Sequence, residues 1–206
     1  GVWAAAIAGD DAPDYRLSVA YGGDALPADD PYRFLPTLGD VDQHLISEGR
    51  HEQLWQVMGA HTHVYQTPHG EIHGVSFAVW APNAKGVRVV GDFNYWDGTS
   101  TPMRSLGSTG IWEIFVPEIG DGSRYKFDVL GHDGIRRLKA DPYANATEVP
   151  PATASVVFSA KHEWHDSEWM TKRANTDPHT GPMSIYEVHL ASWKPGLSYE
   201  QLATEL

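Results

Sequence analysis

The sequence predicts a mainly β protein. One complete β-sandwich is preceded by part of a smaller β unit and a short helical connector, and followed by a single βα unit. Three observations carry this. Between residues 64 and 160, short apolar runs alternate with turns rich in Gly, Pro and Asn, with no long helix between them. Residues 31–63 switch to helix-like spacing punctuated by Gly49 and Gly59. Residues 183–206 set a strand-like run before a capped helix, the order that opens an α/β domain.

Bulk properties narrow the function classes. A hydrophobic content of 41% with 8 Trp, 9 Tyr and 6 Phe is enough to build cores, which argues against disorder. A net charge of −12 argues against nucleic acid and anionic membranes, since both need a basic face, and suits a neutral ligand. The absence of Cys rules out disulfides and thiolate metal sites, and is compatible with a reducing compartment. No apolar run approaches membrane-spanning length and no basic leader is visible, so a cytoplasmic location is expected. The chain starts at Gly1 and stops at Leu206 just inside a helix, so a piece of a longer protein is expected.

Residues 1–30 read as the end of an upstream β domain. Tyr15, Leu17, Val19 and Tyr21 alternate along one side of a strand, and Gly22-Gly23 turns the chain. In the connector, residues 31–63, Asp30-Pro31 to Pro36 is extended. Asp40 then caps a helix carrying Val41, Leu45 and Ile46 inward. A second helix over His51–Met58 ends at Gly59 in a left-handed cap. The sandwich, residues 64–160, has strands at 75–80, 86–91, 111–116, 124–130 and 153–158. Val75, Phe77 and Val79 share one face, as do Tyr125, Phe127 and Val129, which leaves Lys126 and Asp128 on the other side. Residues 161–182 read as an irregular linker that packs Trp164 and Trp169. Its His162, His165 and His179 fit no compact metal-ligand spacing, so no metal or other cofactor is expected. In residues 183–206, a strand over Ser184–Leu190 precedes a helix with Ser198 at its N-cap and Gln201 three residues on.

Several of these runs together carry a resemblance. They are Asp30-Pro31-Tyr32-Arg33-Phe34, Glu48-Gly49-Arg50-His51-Glu52, Gly59-Ala60-His61, Val75 to Ala84, Gly91-Asp92-Phe93-Asn94-Tyr95-Trp96, and Ile185 to Trp193. Their order and spacing, from about residue 15 to the end, resemble the amino-terminal third of bacterial 1,4-α-glucan (glycogen) branching enzymes. The turn alone is shared by many glycogen-associated modules; its combination with Tyr186-Glu187-Val188-His189-Leu190 is more specific. The resemblance implies a remnant of an upstream sandwich and an immunoglobulin-like sandwich of the glycogen-binding (CBM48) class. It also implies the first βα unit of a (β/α)₈ barrel of the α-amylase superfamily, glycoside hydrolase family 13. Such enzymes cleave α-1,4-glucan and form α-1,6 branches by retaining chemistry with two carboxyl groups on later barrel strands. None of the 27 Asp and Glu residues here maps to either group, so no catalytic residue is assigned. The implied partners are α-1,4-glucan or glycogen and the barrel of the same protein. A stand-alone glucan-binding module and a debranching or trehalose-forming relative are the alternatives.

Candidate ligand residues follow from the same turn. Trp96 lies among Asn, Asp and Gly, where an indole is presented to solvent and can stack on a glucose face. The resemblance carries sugar contact onto Trp96 and onto Lys126 of Tyr125-Lys126-Phe127. Its structural alternative is that Trp96 packs its own loop or a neighbouring domain. Trp112 shares a face with Ile114 and Val116, so core packing competes with sugar contact there. Trp193, at the end of the barrel strand, can face either a donor chain or the sandwich. Some relatives carry a second sugar-contacting Trp on the next hairpin. Here that stretch is Gly131-His132-Asp133-Gly134-Ile135-Arg136 and has no Trp.

Overall fold

Two antiparallel sheets face each other across a core that the alternating strand residues fill. The computed structural model describes Ala6, residues 15–20 and residues 22–206; Tyr21 and most of the first 14 residues, and the sequence readings that fall on them, lie outside the described residues. The strands are β1 (Leu17–Val19), β2 (Leu26–Ala28), β3 (Gly59–Thr67), β4 (Gly70–Trp80), β5 (Gly86–Gly91), β6 (Arg104–Ser105), β7 (Ile111–Pro117), β8 (Arg124–Leu130), β9 (Arg136–Lys139), β10 (Ala146–Thr147) and β11 (Ser155–Val156). The helices are α1 (Asp40–Ser47), α2 (Ser167–Ala174), α3 (Leu190–Trp193) and α4 (Tyr199–Glu205). The chain divides into two compact units, one ending at Ala160 and the other formed by Lys161–Leu206.

In the first unit, one sheet has the order β3-β4-β7-β6 and the other β10-β11-β8-β5. Strand β9 also pairs β8, opposite Phe127 to Leu130, while β11 pairs its start at Arg124 and Tyr125. Val75, Phe77 and Val79 of β4 and Ile114 and Val116 of β7 meet Val87 and Val89 of β5 and Tyr125 and Phe127 of β8. Each such burial stabilises by about 1.5–3 kcal/mol. Residues 101–105 link the sheets. Val89 donates its amide to Thr101 and Met103 donates to Val87, while Arg104 and Ser105 pair β7.

The connector covers the outer face of the β4–β7 pair. Leu38 and Met58 pack with Ala78, Leu106 and Ile111, and Phe34 packs with Ile72 and Phe115. Strand β4 is thus buried on both faces, which accounts for its nearly unbroken apolar run Val75 to Val79. Glu113, on the connector side of β7, is fully buried. Arg104 Nε lies 3.2 Å from Glu113 Oε2, and the Thr37 amide donates to Oε1 at 3.4 Å. Arg104 also donates to the Phe34 carbonyl at 2.8 Å, so one ion pair fastens the connector to the sheet.

Several local expectations need correction. Helix α1 forms, but its cap is Gly39, whose amide donates to Asp42 at 3.2 Å; Val41 points outward at 71% exposure, while Leu45 and Ile46 turn inward. The second connector helix shrinks to a single 3-10 turn over Leu54–Gln56. Gly59 does adopt φ +94, yet it opens β3 instead of closing a helix, because Gly59 and Ala60 pair with Ala78 and Phe77 of β4. Strand β3 was not predicted, since Gly59 to Thr67 alternates small and polar residues with few apolar ones. The Pro31–Arg33 stretch is a 3-10 turn capped by Asp30, not extended chain.

The second unit departs furthest. The expected linker contains helix α2, with Trp169 and Arg173 one turn apart and the guanidinium 5.4 Å from the indole. Trp164 and Trp169 both stay exposed. Residues 184–189 form no strand, and Ile185 is 82% exposed. A strand needs a neighbour to satisfy its backbone, and none of the described residues pairs with this run. Helix α4 forms as expected, with Ser198 Oγ accepting from the Gln201 amide and Gln201 Oε1 accepting from the Ser198 amide.

Candidate functional site

The turn after β5 is built to hold an awkward backbone. A 3-10 turn over Asp92–Asn94 leads into Tyr95 at φ +53 and Trp96 at φ +63. Aromatic residues rarely adopt the left-handed region, and each such residue costs about 1–3 kcal/mol. The turn holds because its surroundings determine it. Asn94 Oδ1 accepts from the Gly91 amide at 2.9 Å, and Asn94 Nδ2 donates to the Val89 carbonyl and Thr101 Oγ1. The Trp96 amide donates to the Gly91 carbonyl at 2.8 Å. Gly91 itself is required, since a Cβ there would lie 2.5 Å from the Phe93 ring and 2.2 Å from the Arg124 carbonyl.

After Trp96 the chain returns over the outer face of β5. A Cβ on Gly98 would meet Arg88 Cβ at 2.7 Å and Val90 Cγ1 at 2.8 Å. Hydrogen bonds from the Thr99 hydroxyl and amide hold the exposed Asp97 carboxyl below the usual carboxylate range. Asp92 ties the turn to the start of β8, accepting from Arg124 Nε at 3.2 Å and from its amide.

Lys126 comes to the same face. Its neighbours Tyr125 and Phe127 point into the core, so Lys126 points out, opposite Val90 in the β5–β8 register. Its ammonium donates to Thr153 Oγ1 at 2.7 Å, which positions it without neutralising it. The outer side of Val90 is thus flanked by the Trp96 turn and by Lys126. Trp96 is 41% exposed and Tyr95 93%. The turn's exposed aromatics and the Lys126 ammonium thus lie on one face of the β5–β8 pair, residue types that in general stack on sugar rings and hydrogen-bond hydroxyls.

The other two candidates lie elsewhere. Trp112 packs against the inter-sheet core and donates its indole N–H to the Ala81 carbonyl at 3.1 Å. Trp193 ends α3 in the second unit, with the Lys194 ammonium 5.2 Å from its ring. Sequence reasoning passed over Tyr95, whose signal was an aromatic in a position next to Asn94 that favours Asn or Gly. It also passed over Thr153, which no spacing rule connects to Lys126. An apolar cleft of about 390 Å³ between Ile46, Leu54, Met58, Trp80 and Tyr143 lies against the other sheet. The Trp80 indole N–H in it is already taken by the Thr109 carbonyl.

Comparison with known proteins finds relatives of this chain. Residues 57–144 match the family model described as Carbohydrate-binding module 48 (Isoamylase N-terminal domain). The whole chain aligns with a "1,4-alpha-glucan branching enzyme GlgB" of Thermobifida fusca at 61% identity, covering 28% of that protein. The protein of the same name from Frankia casuarinae is 60% identical over the whole chain, which covers 25% of it. Among solved structures, a pullulanase from Bacillus acidopullulyticus aligns with a TM-score of 0.38 at 24% identity, over 50% of this chain and 12% of that one. The chain spans about a quarter of the length of the curated relatives it matches. With residues 57–144 matching carbohydrate-binding module 48 and the chain aligned along its full extent, this chain is similar to about a quarter of the length of these 1,4-alpha-glucan branching enzymes.

Proposed function

We propose that this chain is the glucan-binding and barrel-positioning part of a 1,4-α-glucan branching enzyme acting in cytoplasmic glycogen synthesis. The whole-chain match to branching enzymes carries the reading. In this proposal the Trp96 indole stacks on a glucose ring of an α-1,4-glucan and the Lys126 ammonium donates to its hydroxyls. Residues 183–206 begin the catalytic barrel, and the 184–190 run becomes a strand only when later strands flank it. The carboxylate nucleophile and acid that cleave the α-1,4 bond and build the α-1,6 branch belong to those later strands, so these 206 residues supply binding and placement without chemistry.

Affinity electrophoresis of the chain through gels with and without glycogen tests the binding half. Retardation by glycogen that Trp96→Ala removes supports it. Equal mobility in both gels favours a second reading, in which the sandwich only positions the barrel. That reading has its own motive, because the hairpin Gly131 to Arg136 has no Trp. Iodine staining of amylose tests the other half: loss of stain above a no-protein control would contradict an inert chain.

A further inference from the structure

We infer that Tyr95 is a second sugar-contacting ring of the Trp96 site, so that the two adjacent aromatics form one platform for an α-1,4-glucan chain. The inference rests on the glucan-binding reading of this turn. It starts from a mismatch between backbone and side chain. Tyr95 occupies φ +53, ψ +29, a conformation that suits Gly or Asn and disfavours a bulky residue. A tyrosine is tolerated in such a position when its ring gains something from the fold. Here the ring gains nothing from it. Tyr95 is 93% exposed, its hydroxyl makes no hydrogen bond to another described residue, and its ring lies against no other aromatic among them.

The turn does not need that ring either. It is held by Asn94, through Gly91, Val89 and Thr101, and by the Trp96 amide on the Gly91 carbonyl. Gly98 then seats the returning chain against Arg88 and Val90. All of these contacts would survive the loss of the phenol. What remains is a large apolar face with a polar tip, presented to water one residue from Trp96 by a turn that neighbouring strands keep rigid. Strained residues held in place by over-determined surroundings cluster at ligand clamps. A neutral glucan matches the chemistry: pyranose C–H faces lie on the rings, and hydroxyls meet the phenol and the Lys126 ammonium.

Three variants of the chain, Tyr95→Asn, Tyr95→Phe and Trp96→Ala, separate the possibilities by thermal melting and by titration with maltoheptaose. Asn suits the left-handed backbone and has no ring. Tyr95→Asn is therefore expected to raise the melting temperature by about 2–4 °C while weakening maltoheptaose binding about 3- to 10-fold. Tyr95→Phe keeps the face and is expected to bind within about twofold of the parent. Unchanged binding by Tyr95→Asn, with binding lost in Trp96→Ala, overturns the role of Tyr95 and leaves the site intact. A lower melting temperature for Tyr95→Asn also overturns it, because the ring would then be serving the fold. No binding by the parent chain overturns the glucan reading itself, and this inference with it.

Discussion

Asn94 Nδ2 donates to Thr101 Oγ1 at 2.9 Å, and Thr101 Oγ1 in turn donates to the Val89 carbonyl at 2.6 Å. This short relay ties the tip of the aromatic turn to the segment that crosses between the sheets. Asn94→Ala breaks it and also strips the Gly91 amide of its side-chain acceptor. Leaving such a group unpaired costs about 1–3 kcal/mol. A loss of unfolding free energy of that size, read as a lowered urea midpoint, with faster amide exchange at Gly91 and Trp96, is the expected result. An unshifted midpoint would mean that the turn is held by something other than Asn94.

Trp96→Ala tests the site without threatening the fold. Trp96 is 41% exposed and belongs to none of the buried core clusters. Glycogen retardation is expected to fall several-fold, while the melting temperature moves by no more than about 2 °C. Lys126→Met should weaken retardation less, since it removes one donor and leaves the aromatic surface. A variant of Trp96 that unfolds would reassign this indole to packing.

Gly98 makes a steric prediction. A methyl group there collides with Arg88 Cβ and Val90 Cγ1, both close to the backbone of β5 and unable to swing aside. Gly98→Ala is expected to cost about 1–3 kcal/mol and to lift the turn from the sheet. Weakened glucan binding together with lowered stability would show that the seat of the turn and the site are one structure. Melting at the parent temperature would count against that close approach.

Glu113 makes a prediction about pH. Burial pushes its carboxyl above the ordinary value of 4.5, against the opposing pull of Arg104 and Thr37. The folded chain therefore holds this proton more tightly than the unfolded chain. Its contribution to stability is fully present below the unfolded value and is lost as pH rises through the folded one. Glu113→Gln lacks that proton exchange. The difference in melting temperature, variant minus parent, should rise in the variant's favour as pH climbs from about 4 toward neutrality. A difference that stays flat across that range would show that the carboxyl titrates at its ordinary value.

How much of this was legible follows from the range of the interactions involved. The alternation in Val75-Phe77-Val79 and in Tyr125-Phe127 assigns core faces from a few consecutive residues, and the inter-sheet core uses those faces. The Ser198–Gln201 cap was equally readable, because both its hydrogen bonds are local. His51 to Met58 misled for the opposite reason. Its apolar spacing suits a helix, but Met58 is drawn into the core beside Leu38 and Ala78, and the next residue starts β3. The run at 184–190 has strand composition and no strand, since composition supplies no hydrogen-bond partner.

By itself the sequence determined the β-sandwich, its core-facing residues, the turn that displays Trp96, and the family motifs in their order. These depend on period, turn chemistry and short spacing, which are properties of neighbouring residues. Only the tertiary structure decided that the connector roofs the β4–β7 pair, that Glu113 meets Arg104 inside that roof, and that Lys126 shares a sheet face with the Trp96 turn. It also decided that Tyr95 and Trp96 stand in left-handed backbone. The strain there is set by strands and by Gly98 packing on β5, contacts between parts of the chain that only folding brings together.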